Sequence, residues 1–248
     1  MKNDECIMHY SSNHLRIVYQ DAALVVIDKP AGLLTVPLER RHTAPSAFEQ
    51  LADYLRSHKR RPFVVHRIDR DTSGLVVFAK DARTQQQLKS QFERHQAERV
   101  YLALVHGRPQ PASGIWRDHL AWDRDALIQR ATNARDRHGK EAVSEYRIVK
   151  SLTGASLIEV RLHTGKRNQI RMQAGLHGHP LIGERRYTGP PQPLPAIEFP
   201  RQALHAHRVA FRHPRTRKPL EFEVPLPPDM TALVARLTSE RGTPQGIG

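Results

Sequence analysis

The sequence predicts an α+β fold: a single domain in which a largely antiparallel mixed sheet is flanked by helices and loops. Three observations carry this expectation. Strand-like and helix-like segments follow one another in mixed order along the chain. Val143 to Val149, Leu157 to Leu162 and Leu220 to Val224 alternate in the manner of half-exposed antiparallel strands. No internal repeat and no linker cuts the 248 residues into equal parts.

Each element has its own signal. Residues 1–13 are polar and unpatterned and read as an arm, residues 14–241 as the domain, and residues 242–248 as a tail. Leu15 to Tyr19 and Leu24 to Asp28 are short runs rich in β-branched residues, hence strands. Ser46-Ala47-Phe48-Glu49 is a capping box, with Leu51, Ala52 and Leu55 at helical spacing behind it, so a helix spans about 46–57. Lys59-Arg60-Arg61-Pro62 then breaks the chain before the strand Phe63 to Val65. Leu75 to Ala79 is an apolar strand, and Asp81 reads as the N-cap of a helix carrying Leu88 and Phe92. Arg99 to Val105 lacks alternation and is a strand buried on both faces. Asn168 to His177 reads as a helix with Arg167 and Arg171 on one face. Residues 189–200 contain five prolines and form a loop. Strands near His207 to His213 and Leu220 to Val224, then a helix near Met230 to Arg241, complete the domain.

Composition narrows the function. Lys plus Arg number 39 against 25 Asp plus Glu, a formal charge of +14, which favours a polyanionic partner with RNA or DNA first. The longest apolar runs, Ala22 to Ile27 and Val100 to Val105, are six residues each, far short of the roughly 20 that cross a bilayer. The first residues lack the apolar core of a signal peptide, so a soluble cytoplasmic protein without a membrane partner is expected. The single cysteine, Cys6, excludes an internal disulfide framework. Fifteen histidines are scattered, and His177/His179 and His205/His207 lack carboxylate and cysteine company, so no metal is expected.

The densest chemistry lies between two apolar strands, in His66-Arg67-Ile68-Asp69-Arg70-Asp71-Thr72-Ser73-Gly74. An aspartate among guanidinium groups stays ionised and can act as nucleophile or base. The same residues would also make an ordinary turn stabilised by Asp and Ser, with Gly74 supplying a permissive backbone. Arg171 is a candidate to hold such a carboxylate in bidentate fashion. Phosphate-loop, dinucleotide and serine-hydrolase signatures are missing, as are helix-turn-helix and zinc-finger ones.

The stretch from His66 to Leu75 resembles the H-R-[LI]-D-x-x-T-S-G-[LV] signature of the RluA-like pseudouridine synthases. Asp28-Lys29-Pro30-Ala31-Gly32-Leu33 is similar to that family's early N-K-P-[AS]-G segment. Thr164-Gly165-Lys166-Arg167-Asn168-Gln169-Ile170-Arg171 is similar to T-G-R-x-H-Q-[IL]-R, and Gly178 to Gly183, Leu204-His205-Ala206 and His213-Pro214 match later elements in order. The resemblance spans about 15–225. It implies the pseudouridine synthase fold and isomerisation of uridines in structured ribosomal or transfer RNA, without a cofactor. By resemblance Asp69 is the nucleophile, Arg171 orients it, and Tyr101 stacks on the flipped base and removes a proton late. Arg67 would enter the RNA stack in place of the extruded nucleotide. His66, Arg70, Thr72, Lys166, Arg167, Asn168 and Gln169 are expected to bind RNA, and a monomer without obligate protein partner is expected.

Three positions depart from the family's pattern: Lys166 and Asn168 replace the usual arginine and histidine, and Glu184 stands where aspartate is usual. No room is expected for the N-terminal S4-type module that some relatives carry, so RNA would be gripped by the domain's own basic surface. A catalytically silent RNA-binding protein on the same fold is the alternative reading. A carboxylate-dependent glycosidase or nucleoside hydrolase using Asp69 and Asp71 is disfavoured, because i, i+2 side chains on an extended loop point apart.

Overall fold

A computed structural model describes residues 15–37, 44–57, 59–190 and 193–239. The first elements in chain order are β1 (Arg16–Gln20), β2 (Leu24–Lys29), α1 (Ala47–Arg56), β3 (Phe63–Val64), β4 (Ser73–Ala79) and α2 (Ala82–Glu93). There follow β5 (Glu98–His106), β6 (Ser113–Asp123), β7 (Ile128–Thr132), β8 (Lys140–Leu152) and β9 (Ala155–Leu162). The last are α3 (Gln169–Leu176), β10 (Leu204–Arg212), β11 (Pro219–Glu223) and α4 (Pro228–Ser239). The arm, the tail, residues 191–192 of the proline-rich loop and the last two positions expected in the final helix lie outside the described residues.

The chain divides into two compact units, one of residues 1–99 and 206–225, the other of 100–205 and 226–248. Two of the boundaries fall inside β5 and β10, which is why the sequence carries no linker there.

In the first unit the strand order is β1-β2-β4-β10, with β3 on β4 and β11 on β10. The β1–β2, β2–β4, β3–β4 and β10–β11 pairings are antiparallel. Leu24, Val26, Leu75 and Val77 pack with Leu88 and Phe92 of α2 and with Val209 and Phe211, forming one dry cluster. Both expected helix starts are built as the sequence encodes them. Ser46 Oγ accepts the Glu49 N–H at 3.2 Å while Glu49 Oε2 accepts the Ser46 N–H at 3.1 Å. Asp81 Oδ1 accepts the Thr84 N–H at 2.8 Å.

In the second unit the order is β5-β9-β8-β6-β7, antiparallel at every step. Met230, Leu233 and Leu237 of α4 close a cluster with Leu102, Leu104 and Leu157. Strand β5 is buried along Val100–His106, as its unbroken apolar run requires. The hairpin β6–β7 has no counterpart among the expected strands. Arg117, Asp118 and His119 interrupt its alternation, and its sheet position is set by pairing with β8.

One element is corrected. Helix α3 begins at Gln169, and Asn168 before it adopts the left-handed conformation (φ 53°) that asparagine tolerates. Arg167 therefore lies outside the helix and does not share a face with Arg171. Its guanidinium sits 4.0 Å over the ring of Trp122.

Candidate active site

The loop joining β3 to β4 is clamped on both sides of Asp69. Lys29, the last residue of β2, is fully buried, and its Nζ donates to the carbonyls of Pro30 (2.8 Å), Leu33 (2.7 Å) and Arg70 (2.9 Å). The Arg70 carbonyl also accepts the Gly32 N–H at 2.9 Å. On the other flank Thr35 Oγ1 donates to the Ile68 carbonyl at 2.7 Å and accepts the Ile68 N–H at 3.3 Å. Asp69's own carbonyl accepts the Thr72 N–H at 3.2 Å. A buried ammonium is tolerated only when such acceptors replace its water. Here they come from the turn Lys29-Pro30-Ala31-Gly32-Leu33, so the turn and the loop form one hydrogen-bonded body.

Two glycines make this geometry possible. Gly32 turns the chain at φ +85°. Gly74 lies at φ +108°, and a Cβ there would fall 2.3 Å from the Ala206 carbonyl oxygen, so no side chain fits where β4 passes the start of β10.

On this body Asp69 is half-buried, while Arg67 and Arg70 are exposed. Arg70 Nε pairs with Asp71 at 3.2 Å. Two neighbours expected to face RNA are taken up inside. The imidazole of His66 stacks on Phe92 with centroids 4.6 Å apart, and its Nε2 accepts the Val77 N–H at 3.0 Å. Burial, with the Arg99 charge adding to it, pushes the His66 pKa down to about 3, so the ring is neutral with its proton on Nδ1. Thr72 is buried, just before the apolar strand.

In the second unit Arg171 projects from α3 and is fixed by its neighbours. Its Nε and Nη2 donate to the carboxylate of Glu184 at 2.6 and 2.8 Å, and its Nη1 donates to Asn168 Oδ1 at 3.2 Å. The Glu184 side chain is fully buried, and Oε1 also accepts the N–H groups of Arg185 and Arg186 at 3.0 and 2.8 Å. Burial alone would raise the Glu184 pKa. The Arg171 hydrogen bond and charge, with the two backbone donors, outweigh it and hold the group ionised below its ordinary range.

Asn168 Nδ2 donates to the Tyr187 hydroxyl at 2.9 Å, and the Tyr187 ring lies under the Arg171 guanidinium at 5.2 Å. Gln169, expected on an RNA-facing surface, is instead an internal brace. Its Oε1 accepts the Lys166 N–H (2.9 Å) and the Thr164 hydroxyl (2.8 Å), and its Nε2 reaches Ser144 Oγ at 2.9 Å. The amide matches those inward partners and leaves no reason for it to face solvent. Tyr101 stands on β5 opposite Val160, 8% exposed. Lys166 is half-buried and Arg167 exposed.

Sequence reasoning gave no role to Lys29, Thr35 or Tyr187. Lys29 sits in a stretch whose resemblance was legible, but nothing in a lysine's spacing announces full burial. Among the described residues no cluster of His, Cys, Asp or Glu could hold a metal ion.

A family profile described as RNA pseudouridylate synthase matches residues 23–175. An uncharacterized RNA pseudouridine synthase of Chlorobaculum parvum is 35% identical over 242 residues, covering 90% of this chain and 74% of that protein. Ribosomal large subunit pseudouridine synthase D of Zymomonas mobilis is 35% identical over 244 residues, covering 90% and 73%. The solved structure of human RNA pseudouridylate synthase domain containing 4 matches with a TM-score of 0.72 at 23% identity, over 89% of this chain and 92% of that one, and so bears on the fold alone. The chain belongs to the RNA pseudouridylate synthases, isomerases that turn uridine into pseudouridine in RNA, as its RluA-like segments implied.

Proposed function

We propose that this chain isomerises specific uridines in structured RNA with Asp69 as its nucleophile and without a cofactor. The observation that carries the reading is the clamp on Asp69: the residues before and after it are fixed through their backbones by Thr35 and Lys29. A nucleophile must be held near its attack geometry, and a loop pinned at both flanks does so at low entropic cost. In the reaction the N1–C1′ bond breaks while Asp69 stabilises C1′, the base turns, and C5–C1′ forms. The hydrogen on C5 leaves as a proton and N1 gains one, so substrate and product are isomers and no external oxidant or reductant is consumed.

Arg171 supplies a cation whose orientation is set by Glu184 and Asn168, and it serves the carboxylate. Tyr101 stacks on the flipped base and takes the late proton. Arg67, exposed beside Asp69, fills the RNA stack after extrusion. Arg70, Lys166 and Arg167 hold RNA directly, and Arg167 on Trp122 offers a flat cationic surface of the kind on which bases stack. His66, Thr72, Asn168 and Gln169 support the site from within. Relatives named for the large ribosomal subunit favour ribosomal RNA over transfer RNA as substrate. We place the enzyme in the cytoplasm as a monomer.

Asp69→Asn tests the assignment. Tritium release from RNA labelled at uracil C5 should vanish while RNA binding persists, since affinity comes from Lys and Arg. Near-normal release from this variant would remove Asp69 from the role.

A further inference from the structure

We propose that a basic groove in the first unit, between the end of α1 and the start of α2, is a second RNA-backbone site. It takes the phosphodiesters that flank the target uridine. Arg56, Lys59, Arg60, Arg61, Phe63 and Lys80 line it. Three carboxylates lie close, and all are engaged: Asp53 pairs with Arg56 at 2.7 Å, Asp81, itself in the lining, pairs with Arg215 at 2.7 Å while capping α2, and Asp21, near Lys80, pairs with His213 at 2.7 Å. Among the described residues no carboxylate pairs with Lys59, Arg60 or Arg61, and all three are exposed. A run of like charges left without counter-charge costs self-repulsion unless an anion occupies it.

The backbone adds a second observation. Helix α1 closes with the Arg60 N–H on the Leu55 carbonyl and the Lys59 N–H on the Arg56 carbonyl, both at 3.0 Å. This is the paired bonding of a Schellman turn, whose left-handed residue is usually glycine. Here that residue is Lys59, at φ 54°. Glycine would be less strained at this position, so Lys59→Gly removes the charge from the groove without breaking the turn. Arg61 is laid over the Phe63 ring at 4.7 Å, which restricts its guanidinium before any ligand arrives. Lys80 is buried with Nζ on the Asp21 carbonyl; burial lowers its pKa, the Asp21 charge opposes that, and the Arg60 charge adds to the lowering.

Position selects the ligand. Strand β4 begins beside the Asp69 loop, with Gly74 paired to Lys29, and ends at Ala79, paired to Phe63 at the groove. Five residue steps at about 3.3 Å place the groove about 17 Å from the loop along the strand. RNA entering the active site would therefore meet the groove through its flanking backbone. Contacts of that kind position the duplex or strand without reading its sequence.

The test uses a fluorescein-labelled uridine-containing RNA hairpin with single-stranded flanks, titrated against the full chain over a range of KCl. Arg60→Gln with Arg61→Gln should lower the slope of log Kd against log salt by about 1.5, because two phosphates are no longer neutralised. Lys89→Gln in α2 with Arg94→Gln at its C-cap, an equal charge change at exposed positions, should leave the slope near that of the unaltered chain. Lys59→Gly should bind the hairpin several-fold more weakly yet melt at a higher temperature. Equal slopes for the two double variants, or Lys59→Gly binding undiminished, would overturn the groove while leaving the active-site reading intact. Failure of the unaltered chain to bind any RNA would instead overturn that reading. Vesicles of phosphatidylserine captured through Arg60 and Arg61, with RNA affinity unchanged, would also overturn the groove's assignment to RNA.

Discussion

Lys29 Nζ stands 2.9 Å from the carbonyl oxygen of Arg70, the residue directly after Asp69, across 41 positions of sequence. The contact joins the last residue of a core strand to the loop that carries the proposed nucleophile. Replacing Lys29 with Met keeps the unbranched side chain as far as Cε and removes all three Nζ donations. The Pro30 and Leu33 carbonyls then lose their charged partner, and Arg70 keeps only the Gly32 N–H. Lys29→Met should lower stability by about 3 kcal/mol, the scale of leaving buried acceptors short of a donor. Chemical denaturation checks that figure. Single-turnover isomerisation should slow more than tenfold while RNA affinity holds, because the loop is displaced and the basic surface is not.

Glu184 fills the equivalent supporting place in the second unit. The departure from aspartate there lengthens the side chain by one methylene. The longer carboxylate spans Arg171 and the backbone N–H groups of Arg185 and Arg186 together. Glu184→Ala removes the buried carboxylate that the Arg171 guanidinium, 12% exposed, shares with two backbone N–H groups, and should cost about 3–5 kcal/mol in thermal or chemical unfolding. Glu184→Asp keeps the charge but shortens the reach, so a loss between that and the unaltered chain is expected.

Local chemistry explains what could be read from the sequence. The capping box at Ser46, the cap at Asp81 and the buried run of β5 depend on neighbours in sequence, and all three stand as read. The β6–β7 hairpin was illegible because Arg117, Asp118 and His119 hide its alternation, and its partners on β8 lie 20 (Leu120 to Lys140) to 34 (Ser113 to Arg147) positions away. The fate of polar side chains was harder still. His66, Thr72 and Gln169 carry groups that suit RNA as well as they suit a protein interior. Only the fold supplies Val77 N–H for the first and Ser144 for the third. Arg167 was misplaced by one residue of helix, since the left-handed Asn168 that ends the turn leaves no mark in a periodicity argument.

The inward-turned imidazole of His66 gives a pH signature. Its pKa in the folded chain is about 3 against an ordinary 6.5, so between those values the unfolded chain binds a proton that the folded one refuses. Stability from this group is complete above pH 6.5 and is lost as pH falls toward 3. From pH 7 to pH 5 the loss should be about 2 kcal/mol. His66→Gln retains an acceptor for the Val77 N–H but does not titrate. Its unfolding free energy should therefore fall less over that interval than the parent's. Identical pH slopes for the two proteins would mean that His66 is protonated in the folded chain.

Arg167 and Trp122 offer a direct optical readout of RNA at the second unit. The chain has two tryptophans. Trp116 is 3% exposed and stacked between Tyr146 and His177, so its surroundings are fixed. Trp122 is half-buried under the exposed guanidinium of Arg167, 4.0 Å from its ring. A phosphate that draws Arg167 away, or a base that stacks in its place, must change the Trp122 emission and leave that of Trp116 alone. RNA titration should thus shift or quench fluorescence in the parent and do neither in Trp122→Phe. Trp122→Ala, which removes the platform, should weaken RNA binding by about 1–3 kcal/mol, the range measured for loss of one stacking aromatic. An unchanged affinity in Trp122→Ala, or a full fluorescence response surviving in Trp122→Phe, would take Arg167 and its ring out of the RNA interface.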